Sequence, residues 1–67
     1  MSTKKMTTGQ KIKNFRLLKG MSKSEMARRS GITFQSVYMI EERGQMPKVK
    51  TIQAISTALE VKWTDLV

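Results

Sequence analysis

Apolar residues along this chain gather in short clusters at helical spacing, set apart by polar residues, glycines and a single proline. Ile12 and Phe15 mark the buried stripe of a first helix, expected to start at a Thr8 cap and to reach about Lys19, with Gly20 as its stop. Met26 and Ala27 belong to a second helix beginning near Lys23, and with Ile32 they supply the apolar contacts of its joint with a third. Val37 and Ile40, three apart, give that third helix, Phe34 to Glu42, an inward edge, and leave Gln35, Met39 and Glu42 facing out. Val49, Ile52, Ile55 and Leu59 keep helical spacing through a fourth helix. Val61, Trp63 and Leu66 then predict a short fifth, capped by Thr64, with Trp63 in the core. The expected fold is an all-α bundle of five short helices.

The junctions carry their own signals. Ser22 can cap the second helix while Glu25, three residues on, reaches back to the Ser22 amide, a capping-box arrangement. Gly31 tolerates the positive φ of a tight turn, and Thr33 offers the next N-cap. Arg43 to Lys48, which contains the only proline, reads as a loop. Residues 1–7 are polar and aperiodic, carry Lys4 and Lys5, and read as a disordered basic N-terminal arm ahead of a domain over 8–67; the arm either lies along a polyanion or is simply untethered.

One charged pair stands out on the helical wheel. Arg16 falls within about 40° of Ile12, and Glu41 about 40° from Val37, so both point toward the core side. A cation so placed needs a partner, and Glu41 is the candidate.

These residues together resemble the helix-turn-helix of the Cro and phage-repressor (XRE-type) family of DNA-binding domains. The resemblance rests on Ser22 to Val37 with Ile40 and Glu41, on Ile12, Phe15 and Arg16 upstream, and on Pro47, Val49, Ile52, Ile55, Ala58 and Leu59 downstream. It implies that helices two and three form the DNA-reading unit, and that the inward Arg16 pairs with Glu41 as a structural ion pair. It further implies that the third helix enters the major groove and presents Thr33, Phe34, Gln35, Tyr38 and Met39 to base edges. Gln35 is the best reader, since its amide offers donor and acceptor together and so matches adenine. Lys23, Ser36, Arg43, Lys48 and Lys50 are the expected phosphate contacts, with Arg28 and Arg29 as weaker ones.

The chain departs from the family at four places. Lys23 replaces a frequent Gln, which favours a phosphate contact over a base contact. Gly44 comes one residue later than the usual loop glycine, and Glu60 stands where a glycine often ends the fourth helix. Phe34 stands where relatives present a polar reader; it either touches a thymine methyl or packs inward.

Composition narrows the function classes. Sixty-seven residues make one domain with a small core. Thirteen Lys and Arg against five Asp and Glu give a net charge of +8, for which a polyanion is the natural partner, although surface lysines also serve solubility. With no cysteine or histidine, and with Glu25 and Glu41 already engaged, no acid–base constellation remains, so neither an enzyme, a metal site nor a cofactor is expected. No apolar run approaches a membrane span or signal peptide, and a cytoplasmic chain, on the nucleoid when DNA-bound, is expected. RNA is disfavoured because there is no aromatic platform on a sheet.

The functional expectation is a sequence-specific regulator of transcription, most simply a repressor, that binds a palindromic double-stranded DNA operator as a homodimer. It needs no small-molecule ligand. Either it pairs through its own surface, around Val61 to Val67 and Met46, or it is the DNA-binding part of something longer. The alternative is an interaction protein such as the antitoxin of a toxin pair, with Leu17, Leu18 and Met46 exposed for a protein partner.

Overall fold

The computed structural model describes residues 6–67; the first five residues of the expected basic arm, Lys4 and Lys5 among them, lie outside the described residues. Four α-helices and one 3-10 turn follow in order: α1 over Thr8–Leu18, α2 over Lys23–Ser30, α3 over Phe34–Glu42, α4 over Val49–Leu59, and the turn over Trp63–Asp65. There is no strand among the described residues.

The N-terminal caps follow the side chains available. Thr7, not Thr8, caps α1: its hydroxyl accepts from the Gln10 amide while the Gln10 side chain accepts from the Thr7 amide, a complete capping box. The last residue of the expected arm therefore belongs to the helix. At α2 the box is half made. Ser22 Oγ accepts from the Glu25 amide at 3.0 Å, but the Glu25 carboxylate turns to Arg28 and Arg29 instead of reaching back to the cap. Charge attraction one turn ahead outweighs a single backbone amide. Thr33 caps α3 by accepting from the Ser36 amide at 3.0 Å.

Three of the four helices end in one motif. A left-handed residue, directly after α2 and α4 and one past the Lys19 cap of α1, donates to a carbonyl three residues back and lets its successor donate to a carbonyl five back: Gly20 with Met21, Gly31 with Ile32, and Glu60 with Val61. In each case that successor packs partly buried against the core. Glu60 does with a side chain, at φ 60°, what Gly20 and Gly31 do without one.

The core is Ile12, Met26, Ala27, Val37, Ile40, Ile52, Ile55, Leu59 and Leu66. α2 packs against α3 and α4, α1 against α3 and α4, and the final turn against α4. α1 comes very close to α3. A Cβ on Gly9 would overlap the carbonyl oxygen of Ile40, so the two helices meet where α1 has no side chain.

Three expectations are corrected here. The fifth helix is only a three-residue 3-10 turn, whose N-cap is Lys62 and not Thr64. Trp63 is 48% exposed while Leu66 is fully buried. So short a segment lays one side chain against α4, and the smaller aliphatic one fills the space. Val49, expected on the buried stripe of α4, is exposed: it lies about 60° from Ile52 and about 120° from Ile55 around the helix, in the first turn at the rim of the bundle.

Candidate nucleic-acid interface

The outer face of α3 is built by its own cap. The Ser36 amide donates to Thr33 Oγ1, and the Thr33 hydroxyl donates in turn to Ser36 Oγ at 2.9 Å. The Thr33 and Ser36 hydroxyls thus bond to each other inside the helix start. Beyond this cap, Phe34, Gln35 and Tyr38 are exposed and Met39 is half-buried. Phe34 is 51% exposed, which settles its orientation in favour of the outward one.

Beside α3 lies a groove of about 460 Å³ whose walls come from α3, the following loop and the start of α4. It brings Gln35, Ser36 and Met39 together with Gln45, Met46, Lys48 and Thr51. Pro47, buried ahead of the Lys48 cap, fixes the chain direction into α4. Lys48 gives α4 no side-chain cap bond, and the first turn of α4 holds no acid. The positive end of this helix and its cap Lys48 adjoin the groove, while Lys50, in the same first turn, is exposed and not among the groove's lining residues.

The cations divide into two sets. Among the described residues, Lys13, Arg16, Lys23, Arg28 and Arg29 are ion-paired, whereas Lys19, Arg43, Lys48, Lys50 and Lys62 are in no ion pair and Lys11 donates to the Val67 carbonyl. Arg28 and Arg29 both serve Glu25, with Arg29 Nε 2.6 Å from its Oε2. The Arg29 hydrogen bond and the Arg28 charge hold the Glu25 carboxyl below its ordinary pKa. Lys23 lies apart from the groove, 3.2 Å from Glu42 Oε2, where Lys13 also reaches the same oxygen at 3.5 Å. This three-residue cluster had no signal in the sequence, since Lys13 and Glu42 stand 29 residues apart and on no shared periodicity.

Beneath the face, Arg16 and Glu41 form a two-pronged pair. Arg16 Nε donates to Oε2 at 2.8 Å and Nη2 to Oε1 at 2.9 Å, while Nη1 donates to the Met21 carbonyl at 2.7 Å. Arg16 is 5% exposed and the Glu41 side chain is fully buried. Each prong is charge-assisted and both carboxylate oxygens are satisfied, the condition under which a buried ion pair is tolerated.

A capped helix presented outward, held at a fixed angle to a second helix by a glycine turn and to a first by a buried ion pair, is the frame of a helix-turn-helix reader. The family model described as Helix-turn-helix (HTH_3) matches residues 12–66. The chain belongs to the Cro and phage-repressor type of helix-turn-helix family, a family of DNA-binding transcriptional regulators. Solved members of similar structure include the restriction-modification controller protein C.AhdI from Aeromonas hydrophila, 27% identical over 90% of this chain and 91% of that one, with a TM-score of 0.84. The N-terminal DNA binding domain of SinR from Bacillus subtilis is 33% identical over 88% of this chain and 87% of that one, with a TM-score of 0.83. A point mutant of the restriction-modification controller protein C.Esp1396I is 29% identical over 82% of this chain and 71% of that one, with a TM-score of 0.77. No curated protein matches the chain. As a helix-turn-helix member its α2 and α3 are the bihelical unit, and no helix among the described residues is long and apolar enough to cross a membrane.

Proposed function

We propose that this chain binds double-stranded DNA sequence-specifically as a transcriptional repressor, with α3 in the major groove and two copies on a palindromic operator. The observation that carries the reading is the groove in which the outward face of α3, with Gln35 and Ser36, adjoins the uncapped start of α4 and Lys48. Gln35, Phe34, Tyr38 and Met39 meet base edges, and Thr33 contributes its methyl, since its hydroxyl is engaged in the cap. Ser36, Arg43, Lys48 and Lys50 hold phosphates, joined by the free amides of the α4 first turn. The adjacency of Gln35, Ser36, Met39 and Lys48 around one groove supports the reading, since a duplex needs reading and holding groups on one side. The likeness to the N-terminal DNA binding domain of SinR and to two restriction-modification controller proteins supports it.

One reading helix spans few base pairs, so useful affinity calls for two copies about 34 Å apart. Trp63 and Val67 in the final segment, with Met46 in the loop, are exposed apolar residues that fit the contact between copies.

Selection of bound duplexes from a random DNA pool tests the reading. A palindrome should be enriched, with two protein chains per duplex in ultracentrifugation at saturation. Flat enrichment would overturn it and favour the protein-interaction alternative.

A further inference from the structure

Glu42 sits in the last turn of α3, between two lysines from two other helices. Its Oε2 lies 3.2 Å from the ammonium of Lys23, the first residue of α2, and 3.5 Å from that of Lys13 on α1. The helix itself gives no reason for a carboxylate here. The last turn of α3 holds Glu41 and Glu42 and no basic residue, so both anions stand at the negative end of the helix dipole. Glu41 is compensated by a buried guanidinium; Glu42 is compensated only by the two lysines.

The cluster is open to water. Lys23, Glu42 and Lys13 side chains keep 25%, 32% and 42% of their exposure, and ion pairs of this kind are weak and readily exchanged. Two ammonium groups converging on one oxygen form the arrangement that would receive a phosphate oxygen, and a carboxylate oxygen now fills that place. The Lys23 hydrogen bond, aided by the charge of Lys13, holds the Glu42 carboxyl below its ordinary pKa, so the group is ionised at neutral pH.

We propose that Glu42 stands in for a DNA backbone phosphate: it bridges Lys13 and Lys23 in the free protein and gives both up to a phosphate as duplex DNA docks. The inference rests on the DNA-binding reading above. It makes Glu42 a positioning residue that sets how tightly, and with what salt sensitivity, the protein holds any duplex. Two lysines and one carboxylate carry a net charge of +1; with the carboxylate neutralised they carry +2. In the wild-type protein a phosphate must displace an internal anion and then lie beside it. Without Glu42 the same lysines offer the phosphate one more net positive charge, and more of the counterions condensed on the DNA are released as it docks.

The test compares the full chain with Glu42→Gln, Glu42→Asp, Lys23→Ala and the Lys23→Ala/Glu42→Gln double variant, on a selected duplex and a scrambled one across a salt series. Glu42→Gln should bind both duplexes about threefold to tenfold tighter at low salt. Its slope of log affinity on log salt should steepen, by up to about 0.9, because the phosphate that wild-type protein neutralises only in part is then neutralised in full. The ratio between the two duplexes should stay unchanged, because no base contact is altered. Glu42→Asp, which keeps the charge, should stay near the wild-type slope, and in the Lys23→Ala background Glu42→Gln should lose most of its effect. A melting temperature close to wild type separates these changes from a change in fold. An unchanged or shallower salt slope in Glu42→Gln, with wild-type binding intact, would overturn the stand-in role alone. Failure of the wild-type chain to bind either duplex at low salt would overturn the DNA reading and this inference with it.

Discussion

Gly9 lies against the carbonyl of Ile40, so close that a single added carbon would overlap the oxygen. That approach sets the distance between α1 and the end of α3, and through it the reach of Arg16 to Glu41. Gly9→Ala should therefore destabilise the domain by about 1–3 kcal/mol despite the higher helix propensity of alanine, because a packed core has no room to give. At roughly 4–8 °C of melting temperature per kcal/mol in a domain of this size, calorimetry resolves it easily. Gly20→Ala is the control, since open space surrounds that position and only its left-handed backbone at φ 71° is strained. A Gly9→Ala melt equal to wild type would mean that the helices are farther apart than described.

Removing either half of the Arg16–Glu41 pair leaves the other charge buried. Arg16→Ala or Glu41→Ala should each cost on the order of 3 kcal/mol, and the double variant should cost much less than their sum. Denaturant titration of the three variants gives the coupling. Additive losses would show that the two prongs contribute nothing as a pair.

Glu60 closes α4 in a conformation that a side chain resists. Glu60→Gly should stabilise the domain by about 1 kcal/mol, the strain released being partly offset by the freedom glycine gains in the unfolded chain. The same melt that detects the loss in Gly9→Ala should detect this gain. A destabilised Glu60→Gly would imply that the Glu60 side chain makes a favourable contact that outweighs its backbone.

Reading and holding should fail differently. Gln35→Ala should lose about 1–3 kcal/mol on the selected operator and relax the preference at one base pair per half-site, with little change on scrambled DNA. Lys48→Ala should weaken every duplex alike and lower the salt slope by about 1. Titrations at several salt concentrations distinguish the two. Equal losses on both DNAs for Gln35→Ala would remove Gln35 from the reading set.

The parts of the fold legible in the sequence are those fixed by local chemistry. Gly31, Thr33 and the spacing of Val37 and Ile40 bound α3 at Phe34 and Glu42, and the helical wheel alone paired Arg16 with Glu41. The α1 cap, expected at Thr8, is Thr7; the signal that would have found it is Gln10, which stands three residues after Thr7 and not after Thr8. What the pattern hid depends on how elements meet. Nothing local distinguishes Gly9 from a glycine in a loop, Val49 keeps its spacing yet rides on the rim, and Trp63 yields the core to Leu66. At the candidate interface, Lys23 and Lys48 look alike in sequence. Only the folded chain separates a lysine tied to Glu42 from one in no ion pair.

Arg16 binds Glu41 with one edge of its guanidinium and the Met21 carbonyl with the other. A single side chain thereby fastens α1, the turn that leads into α2 and the tail of α3. Peeling α1 away strips all three bonds at once and uncovers the core around Ile12, so partial opening there approaches the free energy of complete unfolding. The amide hydrogens of α1 and of the second half of α3 should accordingly exchange with solvent as one set, at the slowest rate in the molecule, while those at the start of α4, where no side chain caps the helix, exchange through local fraying. In the proposed complex α3 would thus be held from behind, and the fraying expected at the start of α4 would lie at the edge where a phosphate docks.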